Sequence, residues 1–158
     1  MAVTIDHYDH FVELMGDFFA GFAGFAGATT IAAVLLTDAH TFDATDASFA
    51  DISAVQIPAG NGYTQADGAG AGKFLASVTS SQPAAGTWML DAADVQWTAS
   101  GGPIPGSGNC DNASTFSDAT TSPANALLHN VDFGANESAG DGTTFNINWN
   151  ANGICRIT

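Results

Sequence analysis

Short runs of apolar and polar residues alternate along most of the chain, and turn-forming residues separate the runs. Residues 30–36 are almost entirely apolar, which is typical of a fully buried strand. Residues 144–149 alternate, so that Phe145, Ile147 and Trp149 fall on one face. Many short strands with turn signals between them predict a mainly β fold, either a β-sandwich or a jelly-roll-like domain.

Further strands and turns follow from the same pattern. Asn61–Gly62 and Asn152–Gly153 are strong turn signals. The second pair predicts a C-terminal hairpin in which residues 144–149 turn back into 154–158. Residues 91–94, which begin and end with Asp, predict a tight connection. The remaining strands are predicted at 52–57, 74–79, 87–90, 95–98 and 126–133.

The beginning of the chain predicts a short N-terminal helix. Asp6 is a suitable N-cap, and Asp9 lies in the first turn, where the helix dipole favours negative charge. Gly16 and Gly21 limit how far the helix extends. Its apolar face consists of residues at helical spacing, namely Tyr8, Phe11, Val12, Met15 and Phe19.

A Phe-Ala-Gly triplet then occurs three times in succession, at residues 19–27. Two interpretations remain open: an adhesive apolar patch that docks on a neighbouring subunit, or a loop that folds its rings into its own core. Residues 18–37 carry no charge and are long enough to span a bilayer, but glycines dilute the run and Asp17 and Asp38 flank it without any cation. We therefore expect a buried or interface segment, with Phe11, Phe18, Phe19, Phe22 and Phe25 as the interface residues.

The stretch from 101 to 123 is dominated by Gly, Pro, Ser, Asn, Asp and Thr, and we predict a long exposed loop there. The predicted organisation has two parts. Residues 1–28 form the N-terminal helix and the Phe/Ala/Gly segment, which we expect to contact another protein or another subunit. Residues 29–158 form the β-sandwich domain, with a polar loop at about 105–123.

Charge excludes several classes of partner. The chain carries 16 acidic residues and only two basic ones, Lys73 and Arg156, for a net charge of -14. No basic patch can form to bind nucleic acid, and anionic membranes are disfavoured for the same reason. Only 11% of residues are charged, so the polar surface comes mostly from uncharged residues, as in proteins that pack into assemblies.

The residues that most often carry chemistry form no recognisable catalytic pattern. Cys110 and Cys155 are not part of a CxxC motif; we expect unpaired thiols and leave a disulfide open. His7 and His10 have a spacing that can hold a metal on a helix face, but a zinc site needs more ligands than this pair supplies. We predict no catalytic residue, no cofactor and no metal site. His129 lies in a predicted strand, and we expect it at the surface or at an interface. We interpret the carboxylate pairs Asp43/Asp46, Asp91/Asp94 and Asp132/Glu137 as turn-forming, and His40 is given no role.

Two weaker possibilities concern ligands. Calcium takes oxygen ligands from loops such as residues 109–112, although the full EF-hand spacing is absent. Trp88, Trp97 and Trp149 could line a sugar-binding face, but the phase of Trp97 and Trp149 favours the core.

Nine segments together resemble a known family. They are residues 1–6 (MAVTID), 8–11 (YDHF), 35–37 (LLT), the block 44–63, 60–64 (GNGYT), 90–97 (LDAADVQW), 98–104 (TASGGPI), 131–134 (VDFG) and 144–154 (TFNINWNANGI). In order and spacing they are similar to small β-rich virion structural proteins of tailed bacteriophages, of the capsid decoration or cement type. The chain departs from that family after Asp17, where the Phe-Ala-Gly repeat replaces a polar connector, and after Ile104, where a polar insertion replaces an aromatic strand.

This resemblance implies a non-enzymatic protein on the capsid surface of a virion, assembled in the host cytoplasm. Its expected partners are the major capsid protein and further copies of itself, as a homotrimer or homodimer, with no nucleic acid and no membrane. The alternative is a tail or head fibre or spike subunit that binds a host-surface glycan through exposed aromatics and a tip loop at 106–122. A glycan hydrolase is the third possibility, although no pair of buried carboxylates supports it.

Overall fold

A computed structural model describes residues 4–11, 31–121 and 123–157, and the described part is mainly β, which confirms the predicted class. Every pairing between its strands is antiparallel. The strands are β1 Thr4–His7, β2 Ile31–Leu36, β3 Lys73–Phe74, β4 Thr79–Ala84, β5 Thr87–Asp91, β6 Val95–Thr98, β7 Asn112–Thr121, β8 Ala124–Asp132, β9 Thr144–Ile147 and β10 Cys155–Ile157; the helices are α1 Phe49–Ile52 and a 3-10 turn at Ser53–Val55.

A five-stranded sheet in the order β1-β8-β7-β2-β3 is the centre of the molecule. All six residues of β2 are buried, as its uninterrupted apolar run predicts. The strand is covered on both faces because two hydrophobic clusters flank the sheet. Side chains of β2 alternate between these clusters, so that Leu35 enters one and Val34 the other.

The inner cluster joins the five-stranded sheet to two smaller sheets, β10-β5-β4 and β6-β9. The outer cluster lies on the opposite face, where α1 covers the sheet. Representative members of the inner cluster are Ile31, Leu35, Val131, Leu90, Trp97 and Phe145, and those of the outer cluster are Tyr8, Val34, Phe49, Ile52, Phe116 and Leu127.

The predicted C-terminal hairpin is wrong, although its turn is present. Gly153 donates a backbone hydrogen bond to Asn150, as a turn requires. The strands on either side of this turn belong to different sheets, because β9 pairs with β6 and β10 pairs with β5. The backbone N–H of Ile154 bonds Leu90 of β5, which draws the chain away from β9.

The predicted polar loop at about 105–123 is also corrected. Residues 112–121 form β7, which lies between β2 and β8 in the five-stranded sheet. Residues 112–117 are buried despite their polar composition. The exposed connection in this region is confined to its first part, residues 106–109.

Two further local predictions change. Residues 4–7, which include the predicted N-cap Asp6, form β1, and the described helical residues begin only at Asp9. Residues 52–57 are not a strand: α1 and the 3-10 turn occupy most of this stretch, and a capping box of Ser48 and Asp51 begins α1. Among the described residues, no helix is long and apolar enough to cross a membrane.

Candidate functional site

Two histidines face each other across β1 and β8. The register of these strands pairs His7 with His129, and their rings meet edge to face with centroids 5.1 Å apart. Strand β1 lies at the edge of the sheet, and His7 is exposed. His129 lies one strand further in and is 1% exposed, so its predicted position at the surface or at an interface is wrong.

A cysteine from the opposing sheet completes the group. Cys155 is the first residue of β10, which faces the five-stranded sheet across the inner cluster. Its Sγ atom lies 4.0 Å from Nε2 of His7. One ligand atom from each of the three residues lies within 4.8 Å of the others. We call His7, His129 and Cys155 the His/Cys cluster.

The two ring nitrogens of His129 have different surroundings. Nδ1 lies 3.0 Å from the hydroxyl of Thr115, the neighbouring residue on β7. Nε2 is buried and finds no hydrogen-bond partner within the described ranges. A buried polar atom without a partner costs about 1–3 kcal/mol, so this nitrogen calls for a physical explanation.

The cluster is electrically neutral at neutral pH. Burial, reinforced by the nearby His7, lowers the pKa of His129 to about 3. Burial also lowers the pKa of His7, and the Asp6 carboxylate opposes that effect. Burial raises the pKa of the Cys155 thiol to about 11, so without a bound cation this cysteine is not an activated nucleophile. Two neutral imidazoles beside a thiol are the donor types that transition-metal ions bind.

Phe11 is a core residue, which corrects its predicted role at an interface. Its ring is 2% exposed and packs against His129 and His7, with centroid distances of 4.4 and 5.4 Å. The ring is buried because the helical turn at residues 9–11 folds it over the inner cluster. The other predicted interface residues, Phe18, Phe19, Phe22 and Phe25, lie outside the described residues.

The remaining histidines are not members of the His/Cys cluster. His10, which the sequence paired with His7, follows β1 in the helical turn and does not join the group. His40 is buried on the other side of the sheet, where its Nε2 lies 3.2 Å from Oδ1 of Asn130.

Aspartates form turns, as predicted. Asp43 accepts hydrogen bonds from the backbone N–H and the hydroxyl of Thr45, which lower the pKa of its carboxyl. Asp132 accepts a bond from the backbone N–H of Gly134, so both carboxylates stabilise local backbone turns. Asp94 instead accepts a bond from the backbone N–H of Trp149, a residue 55 positions away in the chain.

The residues considered as calcium ligands bond to their protein neighbours. Asn109 donates its side-chain amide to Asp38 at 2.7 Å, and Asn112 donates to Asp111 at 2.6 Å. Cys110 is fully buried nearby, and both cysteines are free thiols.

The three tryptophans do not form an exposed aromatic face. Trp97 is buried in the inner cluster, as predicted, and Trp88 is also buried. Trp149 is half-buried against the same cluster and donates its indole N–H to the carbonyl of Ala93 at 3.2 Å.

Comparison of this chain with protein-family models, with curated proteins and with solved structures found no match.

Sequence reasoning missed the His/Cys cluster because its members lie far apart along the chain. His7 and Cys155 are 148 residues apart, and strand pairing across two sheets brings them together. One signal was present in the sequence: His129 directly follows the apolar residues Leu127 and Leu128 in a predicted strand, where a buried imidazole needs a partner.

Proposed function

We propose that this chain is a structural virion protein of a tailed phage that decorates and stabilises the capsid through protein–protein contacts. The Phe/Ala/Gly segment, residues 18–28, makes the principal contact. The observation that carries the proposal is that the stretch between Phe11 and Ile31 is rich in phenylalanine and is much longer than the distance that it bridges.

The two ends of that stretch are fixed at the same end of one sheet. The strand register places His7 of β1 and Ala33 of β2 on the same row across the sheet. Strand β1 ends at this row and β2 begins two residues earlier, at Ile31, so the chain leaves and re-enters the sheet at the same end. Strands β1 and β2 are three positions apart in the sheet, a distance of about 14 Å at the usual strand spacing. Residues 12–30 could extend to roughly 60 Å, which is far more than a direct connection needs.

The described surface offers little apolar area to a partner. Within the described ranges, Ile157 is the single large hydrophobic residue that is exposed, at 38%. An apolar contact between this protein and a capsid would therefore draw on the Phe-rich stretch, which contributes four phenylalanines between 18 and 25.

Charge is consistent with assembly on the outside of a particle. A net charge of -14 repels the nucleic acid inside a capsid and keeps free subunits apart before they attach. Weak attachment of a single subunit would be multiplied when an oligomer, a homotrimer or homodimer, binds several capsomers of the major capsid protein at once.

The glycan-binding alternative has less support. Its exposed aromatics would be Trp88, Trp97 and Trp149, which are buried or half-buried. Its tip loop would span 106–122, and most of that stretch is the central strand β7.

The test is a triple substitution, Phe19→Ser, Phe22→Ser and Phe25→Ser, assayed by retention on purified particles. Each phenylalanine at the centre of a contact contributes about 2 kcal/mol, so the triple variant should lose retention almost completely. Circular dichroism and thermal unfolding should show that the β fold is kept.

The matched control replaces Ala20, Ala23 and Ala26 by Ser in the same segment. It introduces the same number of hydroxyl groups and keeps every ring, so it should remain on the particles. Full retention of the folded Phe variant would overturn the assignment of the contact.

A further inference from the structure

We propose that His7, His129 and Cys155 form a binding site for a transition-metal ion of the zinc class, held by two imidazole nitrogens and one thiolate. This site is independent of the capsid contact. Imidazole and thiolate are the common protein ligands of zinc, and three protein ligands leave a fourth position open.

The spacing of the donors suits such an ion. A zinc ion binds sulfur at about 2.3 Å and nitrogen at about 2.0–2.1 Å, so sulfur and nitrogen ligands of one ion lie about 3.5–3.8 Å apart. Sγ of Cys155 and Nε2 of His7 are 4.0 Å apart, and all three ligand atoms lie within 4.8 Å of one another. Side-chain movements of less than about 1 Å would complete the geometry.

Buried His129 is already oriented as a ligand. When its Nδ1–H donates to the hydroxyl of Thr115, the tautomer leaves a lone pair on Nε2. This Nε2 atom has no hydrogen-bond partner within the described residues, although the side chain is 1% exposed. A metal ion would give the orphaned nitrogen the partner that the protein does not supply.

The position of the cluster lets an ion enter from solvent and link two sheets. His7 is exposed at the sheet edge, so an ion can enter from solvent and keep one solvent ligand there. Binding releases the thiol proton of Cys155 to solvent and forms the metal–sulfur bond. The ion would join β1 to β10, and thus the five-stranded sheet to the three-stranded sheet, at positions 148 residues apart.

Cobalt titration of the full-length, reduced, chelator-stripped protein without an affinity tag tests the site. Co²⁺ reports zinc-type sites through its absorption, because a thiolate ligand adds a sulfur-to-metal charge-transfer band and tetrahedral geometry intensifies the visible bands. We expect one Co²⁺ per chain with both signatures, displacement of cobalt by Zn²⁺, and a higher thermal midpoint with Zn²⁺.

Ligand variants and matched controls complete the test. Cys155→Ser should abolish the charge-transfer band, while Cys110→Ser, which changes the other buried thiol, should keep it. His7→Gln lies on the exposed edge strand and is expected to fold; it should weaken cobalt binding by about tenfold or more, while His10→Gln should leave it unchanged. The absence of stoichiometric binding, or equal binding by wild type and folded His7→Gln, would overturn the proposal.

Discussion

At the scale of single residues, the hydroxyl group of Tyr63 forms a hydrogen bond with the backbone of β2. This bond lies in the part of β2 that does not pair with β3. Strand β3 pairs with Ala32 and Ala33 only. Further along β2, the backbone N–H of Leu35 donates to the Tyr63 hydroxyl at 3.1 Å. Burial raises the pKa of Tyr63, because the phenolate would be poorly solvated there.

Replacing Tyr63 by Phe should therefore leave the Leu35 N–H without its partner and lower the free energy of unfolding by about 1–3 kcal/mol. The pH dependence should change as well. The unfolded phenol has a pKa near 10 and the folded one a higher value, so above pH 10 the unfolded chain releases a proton that the folded protein retains. Wild-type stability then falls by up to about 1.4 kcal/mol per pH unit above 10 for this residue. Urea unfolding at pH 8 and between pH 10 and 11 measures both effects.

Tyr8 is the matched control, since it is the other tyrosine of the chain and burial raises its pKa to about 12. Tyr8→Phe should leave the Tyr63 contribution in place, and the double variant should show the weakest alkaline loss of stability. If Tyr63→Phe matched wild type at pH 8 and in its alkaline slope, the role given to this hydroxyl would be wrong.

At the scale of elements, β7 shows how a central strand can have the composition of a loop. Ser114 and Thr115 are buried in it, and composition alone assigns such residues to the surface. Each is satisfied by a distant residue: the hydroxyl of Ser114 lies 3.1 Å from that of Tyr8, and Thr115 bonds His129. The sequence could not predict β7, because these partners become visible only once β1, β7 and β8 are paired.

Proline substitutions distinguish a central strand from a loop. Ala113 lies in β7 between Leu35 and Val131, so Ala113→Pro removes a ladder hydrogen bond and should cost about 3 kcal/mol or more. Ser107→Pro changes an exposed residue before the strand and should change stability by less than about 1 kcal/mol. Thermal unfolding of both variants is the measurement, and a well-tolerated proline at 113 would contradict the position assigned to β7.

At the scale of the whole molecule, local signals were predictable and long-range pairing was not. The apolar run of β2 and the alternation of β9 predict both strands correctly. A strand buried on both faces is apolar throughout, and a strand buried on one face is apolar at every second residue. The turn at Asn152–Gly153 was also predictable. The residues of a turn do not determine which strand the following segment pairs with, and here the backbone N–H of Ile154 bonds the carbonyl of Leu90 instead of pairing with β9. The His/Cys cluster depends on two such pairings at once, β1 with β8 and β10 with β5, so the sequence pattern indicates only the neighbouring pair His7 and His10.

The fold also limits where function can reside. Strands β1 and β10 bring the two ends of the described chain to opposite sides of the His/Cys cluster, and Phe11 packs on its two rings just before the Phe/Ala/Gly segment begins. The Phe/Ala/Gly segment, which is the proposed capsid contact, and the proposed metal site are therefore neighbours along the chain. They can still be tested separately, because the Phe variants leave all three ligands unchanged.

The central claim is that this protein coats a phage capsid, and its copy number and location on intact particles test that claim most directly. Cryo-electron microscopy of purified particles, combined with quantitative mass spectrometry, gives both quantities. We predict hundreds of copies at regular positions on the outer capsid lattice. Absence of the protein from purified particles, or a handful of copies confined to the tail, would contradict the account.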